Sequence, residues 1–183
     1  MVQQSFNSSS LTPSQRAVND FVRAAAEGDL AAVSEFTNKY GRNALDKKDK
    51  VGRTALMRAA HDGQIDVVNF LLEHGVSVNA TDGVNRTALH HAAMCGRLNV
   101  VKTLLDHGAF YQGVNSGDVT PMKLAKWNQN ISGNDRADYT QIIALLKNWP
   151  KIQQQRQAAE KKQRLGSAQQ KAGTRKAVLA FSG

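Results

Sequence analysis

The 183-residue sequence has a single cysteine, Cys95. An intramolecular disulfide is therefore excluded, which fits a reducing compartment. No stretch approaches the ~18 consecutive apolar residues that a membrane span needs. The opening MVQQSFNSSSLTPSQ lacks a basic n-region and an apolar h-region, so no secretory signal is expected. Absent too are a phosphate-binding glycine loop, a paired-cysteine zinc motif and H-E-x-x-H. N-x-S/T triplets, among them those at Asn7, Asn85 and Asn130, read as chance without a secretion signal. What remains is ordinary for a folded domain: 41% hydrophobic and 21% charged residues, enough apolar material for a core.

The positive charge is not evenly spread. The chain carries a formal +9. Residues 151–183 hold Lys151, Arg156, Lys161, Lys162, Arg164, Lys171, Arg175 and Lys176 against Glu160, a net of +7, and the first 150 residues carry only +2. Basicity belongs to the tail, so it says little about what the body binds.

The body is built on an internal repeat. Residues 49–81 read DKVGRTALMRAAHDGQIDVVNFLLEHGVSVNAT, and residues 82–114 read DGVNRTALHHAAMCGRLNVVKTLLDHGAFYQGV. A step of 33 relates Asp49 to Asp82, Thr54 to Thr87, Leu56 to Leu89, Ala59 to Ala92, Gly63 to Gly96, Val67 to Val100, Leu71 to Leu104 and Gly75 to Gly108. Thr54 and Thr87 sit where an N-cap hydroxyl is wanted before an apolar-periodic run. Leu56, Ala59 and Ala60 share one face of a short first helix, and the small alanines admit a second helix closely. Gly63 is placed to end the first helix in a left-handed conformation. Val67, Val68, Leu71 and Leu72 give the second helix its apolar stripe, and Gly75 ends it. Neither helix buries its face alone, so neighbouring units must stack.

The runs T-A-L-M-R-A-A (54–60) and T-A-L-H-H-A-A (87–93), each followed by G…VV..LL..G, resemble the ankyrin repeat with its T-P-L-H-x-A signature. The departures are Ala55 and Ala88 in place of proline and Met57 in place of histidine. The unit at Thr120-Pro121-Met122-Lys123-Leu124-Ala125 keeps proline and loses histidine. The resemblance implies an all-α ankyrin-repeat solenoid of helix-turn-helix units with hairpin tips. Its parts are a flexible N-terminus (1–11), a capping unit (12–48), regular repeats (49–81 and 82–114) and a degenerate repeat (115–150). Thr12, with Pro13 and Gln15, resembles a capping box opening the first unit, whose Phe21, Ala24, Ala25, Gly28, Leu30, Val33 and Phe36 repeat the layout. In the last unit Leu145 and Leu146 stand 41 residues after Leu104 and Leu105. An inserted loop is expected at 129–136, with the second helix at Ala137–Trp149. Trp149-Pro150 closes the array. The basic tail, 151–183, is expected to be partly helical or disordered, with 166–183 mobile.

Five histidines and Cys95 are the candidates for chemistry. His74 and His107 are equivalent positions at the ends of second helices, His90 is the signature histidine, His91 follows it, and His61 lies in a turn. Equivalent residues one repeat apart stand roughly 8–10 Å apart, too far to share a metal. Cys95 reads as a small residue before the turn glycine Gly96 and not as a nucleophile. No catalytic residue, cofactor or metal site is expected.

The family resemblance places partner contacts on the hairpin tips and the exposed side of the first helix. Carried over by position, these are Lys50, Val51 and Arg53, then Val84 and Arg86, then Val119 at the tips, and Arg58, His61, His91, Met94 and Trp127 on the helices. His61, Met94 and Trp127 form an expected stripe across three units, with Trp127 either open to a partner or packed under the inserted loop. Interface centres are enriched in aromatic residues, Met and Arg. The protein-binding set is therefore Lys50, Arg53, Arg58, His61, Arg86, His91, Met94 and Trp127. Arg53, Arg58 and Arg86 give the surface a positive cast, implying a protein partner with an acidic surface. The alternative is nucleic-acid or anionic-membrane binding through the tail. Cytoplasmic residence is expected, with a nuclear location or delivery into a host cell as alternatives.

Overall fold

The computed structural model describes residues 12–113, 115–131 and 136–180. The expected flexible N-terminus at 1–11 lies outside the described residues, as do 132–135 of the inserted segment and 181–183. Among the described residues there are eight α-helices and no strand. They are α1 (Gln15–Glu27), α2 (Leu30–Tyr40), α3 (Ala55–Asp62), α4 (Ile65–Glu73), α5 (Ala88–Met94), α6 (Leu98–Asp106), α7 (Pro121–Ile131) and α8 (Arg136–Ala180). The chain divides into two compact units, Met1–Leu146 and Lys147–Gly183, and the division falls inside α8.

In the first unit, α1, α3, α5 and α7 pack side by side as one layer, and α2, α4 and α6 form the other. Paired alanines make the first layer close. Ala25, Ala59, Ala60, Ala92, Ala93 and Ala125 are all fully buried. Branched and long apolar residues fill the space between the layers: Val67, Val68, Leu71 and Leu72 from α4, and Val100, Val101, Leu104 and Leu105 from α6. Between α1 and α2, Phe21 and Phe36 stack with ring centres 4.1 Å apart.

Thr54 caps α3, its hydroxyl accepting from the Met57 N–H, and Thr87 caps α5 in a reciprocal box with His90. Thr120 does the same for α7 through the Lys123 N–H. The first helix begins elsewhere than expected. Ser14, not Thr12, is its N-cap and accepts from the Ala17 N–H at 3.2 Å. The serine hydroxyl lies three residues before an available donor, the N2–N3 reach that capping requires.

The first three first helices, α1, α3 and α5, end at a left-handed glycine: Gly28 (φ +80°), Gly63 (+84°) and Gly96 (+68°). A side chain from the following unit then lies across the exit turn and donates to a carbonyl of the helix just ended. Gln64 Nε2 donates to Ala26 O, Arg97 Nε to His61 O and Tyr139 Oη to Met94 O. A Cβ on these glycines would stand 2.6 Å from Gln64, 2.9 Å from Arg97 and 3.1 Å from the Tyr139 ring, respectively. Glycine is thus required twice, by the dihedral and by the approach. Tyr139 fills the role that Gln64 and Arg97 fill earlier. This is how the late second helix of the last unit docks with Tyr139, Ile142 and Leu146 buried, while Leu145 is only half-buried.

Two expectations about the C-terminal part need correction. The segment 129–136 is not wholly a loop, because α7 runs on to Ile131 and α8 starts at Arg136. The position equivalent to Gly63 and Gly96 is Gln129, which has no left-handed preference to stop the helix. Nor does Trp149-Pro150 end the last helix. Pro150 sits inside α8, which continues to Ala180, so residues 151–180 take the helical one of the two forms expected for the tail. Proline removes one helical donor, but the Gln, Ala, Lys and Arg residues that follow are strong helix formers and carry the helix on.

The exit-turn geometry makes a prediction. Gly96→Ala meets both the left-handed strain, about 1–2 kcal/mol, and the Tyr139 ring, whose displacement adds roughly 1 kcal/mol or more. Gly108→Ala meets only the strain, since φ is +83° and nothing lies within 4 Å of its Cβ. In urea denaturation Gly96→Ala is therefore expected to be the more destabilised by about 1 kcal/mol or more, and equal losses would count against the ring contact.

Candidate protein-binding surface

The hairpin tips are built on one residue per repeat. Asp49 Oδ1 accepts from the N–H groups of Val51 and Arg53, Asp82 Oδ1 from those of Val84 and Arg86, and Asn115 Oδ1 from those of Gly117 and Val119. Each tip also turns through a left-handed residue at the same offset: Gly52, then Asn85 (φ +59°), then Asp118 (+55°). Glycine, Asn and Asp are the residues that tolerate this conformation most readily. Adjacent tips are tied together. The Ser116 N–H donates to Val84 O, and Asn85 Nδ2 donates to Ser116 Oγ. His90 Nδ1 accepts from the Thr87 N–H, so its Nε2 carries the proton donated to Val119 O.

Of the expected contact residues, Lys50 is exposed at the first tip, and its backbone N–H donates to Asn19 Oδ1. Arg53, Arg58 and Arg86 are each about two-thirds buried and each faces an aspartate four residues away. Arg53 lies 3.6 Å from Asp49, Arg58 3.6 Å from Asp62, and Arg86 3.1 Å from Asp82. The positive cast expected from these arginines is therefore compensated within the repeats. His61 is half-exposed and pairs Nδ1 with Asp62 Oδ1 at 2.8 Å. Met94 is half-buried.

His91 is not on the surface. Its side chain is 5% exposed, and Nε2 donates to Asp82 Oδ2 at 3.1 Å. The Asp82 carboxylate thus accepts from two backbone N–H groups, from Arg86 Nε and from His91, so the histidine is drawn in to satisfy a buried charge. Burial alone would raise the Asp82 carboxyl, but the N–H groups of Arg86 and Val84 and the Arg86 guanidinium hold it below the ordinary 3.8. Burial pushes the His91 imidazole down from 6.5 to about 4, with Arg86 acting in the same direction against the pull of Asp82. Its Nδ1 has no hydrogen-bond partner, so a proton there would be a buried, unpaired donor. Burial likewise lowers His90, although its bond to Val119 works the other way. The structure gathers Arg86 and His91 on Asp82, Arg58 and His61 on Asp62, and the His61 and His91 rings edge to face at 6.2 Å.

Trp127 is 64% exposed, so it is open and not packed under the inserted segment. Ile131, one helical turn on, is 69% exposed. With Lys123 one turn earlier, these residues make a single line along α7, and Lys126 stands exposed beside it. Sequence reasoning missed Ile131. The signal for it was Gln129 at the glycine position, which prolongs the helix by the turn that carries Ile131. It also missed the tip-building roles of Asp49, Asp82 and Asn115, whose 33-residue spacing was visible.

Cys95 caps the C-terminus of α5 and is half-buried. Burial raises its thiol above the ordinary value, against the pull of Arg97. Among the described residues no group of three or more His, Cys, Asp and Glu is placed to hold a metal ion, and no helix is long and apolar enough to cross a membrane.

Comparison with known proteins agrees with this geometry. A family model for ankyrin repeats, in three copies, matches residues 21–130. Over 64 residues, 35% of this chain, the sequence is 41% identical to the NAD-capped RNA hydrolase NUDT12 of Pongo abelii. Over the same length it is 39% identical to the NAD-capped RNA hydrolase NUDT12 of Macaca fascicularis. Each match takes in 14% of the relative, so the chain spans a small part of the curated proteins it matches.

The buried pair sets a pH dependence. The unfolded chain takes up a proton at His91 near 6.5, while the folded chain does so only near 4. Between those values the unfolded state holds more protons, so stability falls as pH drops from 6.5 towards 4, by up to ~1.4 kcal/mol per pH unit for this one group. Asp82, held below 3.8, adds a further loss at still lower pH. Urea midpoints across this range should show the slope, and His91→Gln, which keeps an N–H donor, should flatten it. An unchanged slope in the variant would remove His91 as the source.

Proposed function

The chain belongs to the ankyrin-repeat family, and on that footing we propose that it is a non-catalytic adaptor or regulator whose protein partner docks on the face of α7. Ankyrin repeats generally mediate protein–protein interaction. The single observation that carries the finer reading is Trp127, a large aromatic side chain left 64% exposed on a first helix. Trp127 and Ile131 offer an apolar anchor of the kind that dominates interface energetics. Lys123 and Lys126 flank it, so the partner segment suited to this face carries an apolar side chain with carboxylates beside it. The attraction to acidic groups is thus assigned to α7 and to Lys47, Lys48 and Lys50 of the first tip, all exposed. Arg53, Arg58 and Arg86 already face their own aspartates.

The test is capture from native lysate with the full chain, followed by affinity measurement on the purified partner. Trp127→Ala with Ile131→Ala should leave stability within about 0.5 kcal/mol, because both side chains are exposed. The same change should weaken the partner by about 2 kcal/mol or more, a loss of thirtyfold or so. A partner bound equally by the double variant, but lost on Arg58→Glu, would place the contact on the middle of the array instead.

A further inference from the structure

The second unit holds Lys147, Lys151, Arg156, Lys161, Lys162, Arg164, Lys171, Arg175 and Lys176 against Glu160 alone. All of them fall on α8. Lys151 and every residue from 153 to 163 are exposed. At ~100° per residue, eight of the nine basic positions fall on one half of the helix cylinder, and Glu160 falls outside that half. The ninth is Arg156. It is accounted for separately, since its guanidinium lies over the Trp149 ring, 5.3 Å from the ring centre. Like charges recur at three- and four-residue spacings, at Lys147/Lys151, Lys161/Arg164 and Lys171/Arg175, where each pair opposes the helix unless an anion lies between them.

We propose that this helix, residues 147–180, binds duplex DNA through its phosphates, lying in the major groove without reading sequence. The argument is one of charge and shape. A helix in the major groove of B-form DNA has a phosphate strand on either side, and a half-cylinder of positive charge faces both at once. The segment is about 50 Å long, more than one turn of duplex. Its ~10–12 Å width matches the groove, whereas the deep, narrow major groove of duplex RNA does not admit it. An anionic membrane surface fits less well. Surface-lying helices bury an apolar face, while Ile152, Ala158, Ala159, Leu165 and Ala168 do not line up as a stripe. Single strands are bound by aromatic stacking, and the one aromatic residue of 147–180, Trp149, is buried.

The experiment is fluorescence anisotropy of the full chain with a labelled duplex DNA of about three turns, over roughly 50–200 mM NaCl. Duplex RNA, single-stranded DNA and phosphatidylserine vesicles form parallel arms. Duplex DNA should bind most tightly, with a log–log salt slope of about −4 to −7. Lys151→Gln, Lys161→Gln and Lys162→Gln combined should lose affinity by about tenfold or more and make the slope shallower by about 2–3, since each neutralised phosphate contributes ~0.9. Arg156→Gln should stay within about twofold while Lys161→Gln alone weakens binding, because only Lys161 lies on the basic half. Helical content by circular dichroism accompanies each variant. Equal losses for Arg156→Gln and Lys161→Gln at unchanged helicity would overturn the one-sided docking. Duplex RNA, single strands or vesicles bound as tightly as duplex DNA would overturn the groove.

Discussion

None of the helices in the two regular repeats is long enough to stand alone. They run from seven to nine residues, against the ~12–15 at which an isolated helix becomes even marginal in water. Everything else in the first unit depends on what passes between neighbours. The alanine pairs let first helices approach without a gap, and the Val-Val and Leu-Leu pairs of the second helices fill behind them. The left-handed glycine at each exit turn then receives a side chain from the next unit. That last contact is where chain direction, backbone conformation and inter-unit bonding meet. A repeat without its successor would leave the carbonyls of Ala26, His61 and Met94 without these donors.

The hairpin tips impose a second constraint, and it governs what is left for recognition. A carboxylate or amide at 49, 82 and 115 must organise two backbone N–H groups in each tip. A buried aspartate that does this needs further partners, and the second repeat supplies Arg86 and His91. Side chains that look available from their position in the repeat are thereby consumed. The last unit has no such demand. Its tip uses neutral Asn115, its first helix lacks the terminating glycine, and the helix runs on to expose Trp127 and Ile131.

This explains which parts were legible in the sequence. The stacked helices, their caps at Thr54 and Thr87 and the turn glycines follow from spacing, because hydrophobic periodicity and left-handed glycine are local signals that repeat in register. The surface residues were harder. Position within the repeat placed Lys50 outside and left Trp127 open between a partner and the inserted segment. It could not foresee that His91 would turn inward, since that depends on a buried carboxylate nine residues earlier in the chain. Nor could spacing show that the three arginines each face an aspartate four residues away. The continuation of α8 through Pro150 is not legible locally, because proline is a stop signal and the helix-forming run after it lacks an apolar stripe.

Charge separates the two units sharply. Of the formal +9, residues 147–183 carry +8 and the first 146 carry +1. The array is nearly neutral, with its central arginines compensated. A contact on Trp127 and Ile131 therefore draws on short-range burial, which salt affects little. The helix from residue 147 onward is basic but for Glu160 and lacks an apolar stripe. Any contact it makes draws on long-range attraction and counterion release, which salt weakens steeply. One chain thus carries two surfaces of opposite physical character. Neither substitutes for the other: an apolar anchor gives a polyanion nothing to neutralise, and a basic helix without an apolar stripe gives an apolar side chain nothing to bury against.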